Sequence, residues 1–126
     1  MKTGGCLCGA VRYEIASDPK DFRACHCTMC RKVSGHYWSG FDVAHADFRL
    51  TETRGLKWFQ SSEIAERGFC GDCGSALFYR PHGGDHLSVA PGSVDGPVGA
   101  RIVGHIFAAH KGDYYDITDG LPQRAD

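Results

Sequence analysis

The clearest periodicity lies near the N-terminus, where AVRYEIAS sets Val11, Tyr13 and Ile15 on one face and Arg12, Glu14 and Ala16 on the other. Alternation with a period of two is the mark of a strand with one buried face. HYWSGFDV, DFRLTE, LKWFQSS, SALFYR, HLSVAPG and ARIVGHIFAAH read as further strands. Between them stand SDP, TRG, CGDCG, PHGGD and DGP, whose Gly, Pro and Asp residues suit tight reversals. The best helical candidate is one or two turns over TMCRKVSG, with Thr28 as N-cap and Gly35 as stop.

Seventeen glycines in 126 residues agree with this pattern, because short strands joined by tight turns call often on positive φ, whereas ordinary helices are weakened by it. No internal repeat and no linker rich in Pro or Ser divides the chain. We therefore expect a mainly β fold with short helical turns, a single domain over residues 1–126, and a real core. Trp38, Phe41, Trp58 and Phe107 are expected in that core or in a pocket wall.

The formal net charge is −1 and like charges do not cluster, so nucleic acid and anionic membrane surfaces are not expected partners. No apolar stretch approaches the roughly 18 residues needed to span a bilayer, and MKTGGCLCGAVRY lacks the apolar centre of a signal peptide. The expectation is a soluble cytosolic protein.

Seven cysteines change the picture, since crowded thiols in a reducing compartment point to metal or catalysis before disulfides. They fall into a CxC at Cys6 and Cys8, a CxCxxC at Cys25, Cys27 and Cys30, and a CxxC at Cys70 and Cys73. FCGDCGSALFYR has the form of a zinc knuckle opening a strand, and GGCLCG is its natural complement, because its glycines let both sulfurs of a CxC face one ion. Cys6, Cys8, Cys70 and Cys73 then make a closed four-sulfur site for zinc, which binds thiolates tetrahedrally and without redox chemistry. A redox dithiol at Cys70 and Cys73 is disfavoured, because the surroundings lack a strand-to-helix setting.

Cys25, Cys27 and Cys30 remain. Three ligands with an open fourth position describe a catalytic zinc site. A second structural zinc completed by one of the seven histidines is the other reading, and spacing alone leaves both open.

GGCLCGAVRY, CHCTMCRK and FCGDCGSALF in this order, followed by GHIFAAHK and ITDGLPQ, resemble the glutathione-dependent formaldehyde-activating enzymes, a family that includes centromere protein V. The likeness runs from about Gly5 to Pro122. It implies a zinc-bearing, Mss4-like β-tent with two zinc ions, structural at Cys6, Cys8, Cys70 and Cys73 and catalytic at Cys25, Cys27 and Cys30. The implied activity is a carbon–sulfur lyase reaction, in which glutathione and formaldehyde combine as S-hydroxymethylglutathione. Three thiolates would leave the second zinc near −1, and Arg31 and Lys32 are the candidates to offset this or to meet the carboxylates of glutathione. His26, between two ligands and pointing away from the metal, is a candidate to hydrogen-bond the ligands from behind or to shuttle a proton, and His105 in GHIFAAH a candidate pocket residue. The alternative function is a non-catalytic, zinc-stabilised binding or structural module.

Overall fold

In the computed structural model, which describes residues 1–126, alternation does decide the strand it most clearly marks. β2 (Arg12–Ile15) buries Tyr13 and Ile15 and leaves Arg12 and Glu14 half-exposed. It pairs antiparallel with β1 (Lys2–Gly5) and with β6 (Phe48–Glu52) to form the first sheet. A second, antiparallel sheet runs in the order β5 (Phe41–Ala44), β10 (His86–Val89), β9 (Ala76–Pro81), β8 (Ala65–Cys70) and β7 (Leu56–Gln60). The third holds β11 (Ile102–Ile106), β3 (Phe22–Cys25) and β4 (Trp38–Ser39), with β11 parallel to β3. The fold is mainly β, and no helix is long and apolar enough to cross a membrane.

Three strands escape the sequence pattern. β1 reads KTGG, without large apolar positions, and β3 is only four residues long. β8, AERGFC, buries Arg67 and Gly68 where apolar side chains would have signalled a strand. HYWSGFDV also divides at Gly40 into β4 and β5, which join different sheets. A Cβ at Gly40 would stand 2.5 Å from the ring of Trp38 and 2.9 Å from Cβ of Ser88, so the crossing requires a glycine there.

The helix α1 (Thr28–Ser34) starts one residue earlier than expected, with Cys27 as its N-cap. The Cys27 sulfur accepts the amide of Cys30 at 3.3 Å. Gly35, at φ 83°, ends the helix as expected, its amide bonded to the carbonyl of Arg31.

Val11, Tyr13 and Ile15 pack with Phe41, Leu77, Phe78, Leu87 and Val89 between the first two sheets. Tyr13 meets Phe78 edge to face at 5.7 Å, and its hydroxyl is satisfied by Ser93 at 2.6 Å. Cys6 and Cys70 lie in the same core, so one cysteine cluster is built into the hydrophobic centre. Phe41 is buried there and Trp58 stacks on Phe78, whereas Phe107 is 37% exposed beside His110. Beyond β11 the chain doubles back, and the amides of His105 and Arg124 bond the carbonyls of Pro122 and His105.

Candidate metal centres

The turn after β1 and the β8–β9 hairpin bring Cys6, Cys8, Cys70 and Cys73 together, all four sulfurs within 4.8 Å of one another. Cys8 lies 3.7 Å from both Cys6 and Cys70. Four sulfurs placed tetrahedrally about 2.3 Å from one zinc ion stand about 3.8 Å apart, so the spacing suits a thiolate-bound metal and is far too long for a disulfide. The hairpin turn is tight: the amide of Gly74, at φ 81°, bonds the carbonyl of Cys70 at 2.8 Å. The CxxC thus closes one strand and precedes the next, with no helix beside it.

Amides face these sulfurs. Val11 donates to Cys6 at 3.2 Å, and Asp72 and Cys73 donate to Cys70 at 3.4 and 3.5 Å. Hydrogen bonding to Ser75 brings the Cys73 thiol down to about 5. Cys8 is pushed up to about 12, because desolvation and the sulfurs of Cys73, Cys6 and Cys70 outweigh the amide of Ala10. Four sulfurs this close cannot all be ionised without a cation among them, which is the chemistry of a metal site.

The sulfurs of Cys25, Cys27 and Cys30 also lie within 4.8 Å of one another, and no histidine or carboxylate joins them. Cys25 ends β3, Cys27 caps α1 and Cys30 is buried in its first turn. The Cys30 proton lowers the pKa of Cys25, while Cys25 and burial raise that of Cys30. The cation at this cluster comes from far along the chain: Nη2 of buried Arg67 on β8 donates to the Cys30 sulfur at 3.6 Å. The Arg67 guanidinium also lies over Tyr79 and Trp38, 5.1 and 5.9 Å from their ring centres.

Arg31 follows Cys30 but donates to the carbonyl of His110 at 3.2 Å, and Lys32 is exposed on the helix. His26 is fully buried, with Nε2 2.9 Å from Nδ1 of His105 and Nδ1 hydrogen-bonded to the Tyr115 hydroxyl. His105 Nε2 lies 2.8 Å from the Asp119 carboxylate. Hydrogen-bond roles follow in order: Asp119 accepts from His105 Nε2–H, His105 Nδ1 from His26 Nε2–H, and His26 Nδ1 from the Tyr115 hydroxyl. Burial and the nearby His105 hold the His26 pKa below its ordinary value, which keeps the ring neutral as this chain requires. Both ring nitrogens of His26 are occupied, so it is not the missing fourth ligand of the cysteine cluster.

A hollow of about 550 Å³ lies against His26, His36, Tyr37, Arg101, His105 and Tyr115. Comparison with known proteins adds to this geometry. The family model for "Glutathione-dependent formaldehyde-activating enzyme" matches residues 1–110. The chain belongs to this family.

Among its relatives, an "Uncharacterized lyase" of Schizosaccharomyces pombe is 29% identical over 76 residues, 60% of this chain and 55% of that protein. A "Putative glutathione-dependent formaldehyde-activating enzyme" of Halomonas elongata is 32% identical over 88 residues, 60% of this chain and 53% of that protein. The chain therefore spans about half the length of the curated relatives it matches. A Rhodobacter sphaeroides crystal structure superposes with a TM-score of 0.65 at 19% identity, covering 96% of this chain and 98% of that one, which establishes a shared fold.

The stretch matched to the formaldehyde-activating family holds all seven cysteines, His26, Arg67 and His105. Tyr115 and Asp119, which bond the two histidines, lie beyond it. Sequence reasoning did not find Arg67, Tyr115 or Asp119. Arg67 stands in a strand that lacks alternation, and ITDGLPQ, which contains Asp119, supports the family resemblance without marking a role for that carboxylate.

Proposed function

We propose that the protein joins a thiol to an aldehyde at the Cys25–Cys27–Cys30 cluster, a carbon–sulfur lyase reaction run in the direction of synthesis, with glutathione and formaldehyde as the pair the family's name indicates. The carrying observation is a three-sulfur cluster with no fourth side-chain ligand and a buried arginine against one sulfur. On this reading two zinc ions are bound. Cys6, Cys8, Cys70 and Cys73 hold the structural one, stapling the N-terminal turn to the β8–β9 hairpin in a Mss4-like β-tent that forms one domain over residues 1–126. Reduced thiols in both clusters suit a cytosolic setting.

A zinc ion held by Cys25, Cys27 and Cys30 would supply a Lewis acid able to stabilise a substrate thiolate or polarise a carbonyl oxygen. Three thiolates and a dication sum to −1, and Arg67 brings the total to zero, so an incoming anionic sulfur meets no net repulsion. In the reaction the substrate sulfur's lone pair forms the C–S bond as the C=O π pair moves onto oxygen. That oxygen takes up a proton, matching the one the thiol gives up, and cleavage is the reverse. The His26–His105–Asp119 chain holds the Tyr115 hydroxyl proton at the wall of the 550 Å³ hollow, a volume within the roughly 300–1,000 Å³ of small-molecule sites. Arg101 in that wall and exposed Lys32 offer cations for the carboxylates of glutathione, while His105 lines the same wall and bonds His26.

The test is exchange spectroscopy of glutathione and formaldehyde with zinc-loaded protein. Acceleration of S-hydroxymethylglutathione formation over the uncatalysed rate, lost in Cys27→Ser, supports the proposal. No acceleration for this pair or for other thiol–aldehyde pairs would leave a metal-stapled binding module.

A further inference from the structure

A second cavity, of about 260 Å³, has Val33, Trp38, Phe59, Arg67, Phe69 and Phe78 in its wall and is separated from the Cys25–Cys27–Cys30 sulfurs by the Arg67 side chain. Three of these residues tie it to the cluster. Arg67 donates to the Cys30 sulfur, Trp38 is the strand partner of Cys25, and Val33 follows Cys30 by three positions on α1 and so shares its face.

Its chemistry differs from that of the polar hollow beside His26. The one charged group in the wall is Arg67, and that guanidinium is already engaged by the Cys30 sulfur and two aromatic faces. One remaining N–H of a single guanidinium cannot meet the two carboxylates and the ammonium group of a glutathione molecule, so its ionised ends are not matched here. Phe59 and Val33 are 60% and 42% exposed, an apolar rim that a ligand would take out of water. Nε of Arg67 is buried and finds no acceptor within the protein. A carbonyl oxygen is an acceptor of the kind this donor lacks.

Size narrows the ligand. A dry apolar cavity of about 150 Å³ holds benzene, so this one accommodates a single ring or a short branched chain with a carbonyl attached. Formaldehyde has no apolar substituent to bury.

We propose that this cavity is the carbonyl subsite and that it selects an aldehyde bearing an apolar substituent of about one ring, aryl or branched alkyl, over formaldehyde. The inference rests on the thiol–aldehyde reading above, and the bond changes are the same.

The experiment uses the zinc-loaded full chain with two readouts. The first is adduct formation from glutathione with benzaldehyde or formaldehyde. The second is amide and indole NMR during titration with benzyl alcohol, an unreactive analogue. The expected result is a kcat/KM at least tenfold higher for benzaldehyde, with Trp38 and Val33 signals shifted by the analogue. Ala76→Leu, which fills the cavity, should cut benzaldehyde turnover at least tenfold more than formaldehyde turnover, and Phe59→Ala, on the exposed rim, should weaken analogue binding without adding bulk. Preference for formaldehyde in the wild type, or analogue shifts confined to other residues, would overturn the proposal. If neither aldehyde reacts, the thiol–aldehyde reading fails; analogue shifts at Trp38 that Ala76→Leu abolishes would still assign the cavity to an apolar ligand, and their absence would remove it too.

Discussion

Arg67 and Cys30 are separated by 37 residues in the chain, yet the guanidinium nitrogen of one lies 3.6 Å from the sulfur of the other. No carboxylate pairs with Arg67, although the side chain is buried. A buried cation needs a counter-charge, and the sulfur cluster is the one within reach. The arginine and the cluster therefore belong to one electrostatic unit.

Removing that cation should weaken the metal at this cluster. Arg67→Met keeps the bulk of the side chain and leaves a net negative site, so zinc affinity of the labile site is expected to fall about 10–100-fold, the usual range for second-layer partners of a metal. Arg67→Lys should recover part of it. Competition with a chromophoric chelator measures both, and equal affinity in wild type and Arg67→Met would separate the arginine from the metal.

The two clusters should differ in what they contribute. Cys6 and Cys70 belong to the hydrophobic core, whereas the second cluster sits at the junction of β3 and α1. Cys73→Ser should therefore lose one zinc and lower the thermal midpoint strongly, since structural zinc can contribute on the order of 10 kcal/mol of folding free energy. Cys27→Ser should lose the other zinc with a much smaller shift. Metal analysis beside calorimetry decides it; equal shifts would contradict the division.

Gly55 braces the four-sulfur cluster. Its amide bonds the carbonyl of Ala10, and its own carbonyl accepts from Gly71. A Cβ there would stand 2.7 Å from Cβ of Ala10 and 2.8 Å from the Cys70 sulfur. Gly55→Ala should cost about 1–3 kcal/mol, as overpacking does, and slow reloading of the tightly held zinc. Denaturant unfolding of the zinc-loaded variant provides the measurement, and an unchanged midpoint would show that the loop yields freely.

Tyr115→Phe should leave His26 Nδ1 buried without its donor, at about 1–3 kcal/mol in unfolding free energy. Nitrogen-15 shifts of the His26 ring would report the accompanying loss of a fixed tautomer. An unaltered spectrum would mean that the hydroxyl does not set it.

Asp119 supplies the pH dependence. The Leu121 amide and the His105 ring hold its carboxyl below the ordinary carboxylate range. Its contribution is thus complete above the unfolded value of about 3.9 and disappears as pH falls through the lower folded value. The stability gap between wild type and Asp119→Asn should be steady above about pH 5 and close as the medium becomes more acid. A gap that did not narrow as pH fell below about 3.9 would assign the effect to something other than charge.

Much of this protein is legible in its residues. Alternation in AVRYEIAS marks β2, and seven cysteines at three short spacings separate into the two clusters that the structure brings together. These are local signals: a period of two follows from the strand itself, and two sulfurs two or three positions apart meet through a single turn.

Tertiary structure decided the rest. The pairing of Cys6 and Cys8 with Cys70 and Cys73 follows from their spacing and flanking glycines, but the 3.7 Å from Cys8 to Cys70 depends on how the first two sheets pack. Arg67 beside Cys30, Tyr115 beside His26 and Asp119 beside His105 carry no signal along the chain, since each partner lies on a different segment and nothing periodic links them. Sequence alone could say which residue types would hold a metal. Which charge faces the sulfurs, which histidine is already occupied and where the cavities lie are properties of surfaces made only when the sheets close, because electrostatics and excluded volume act through space.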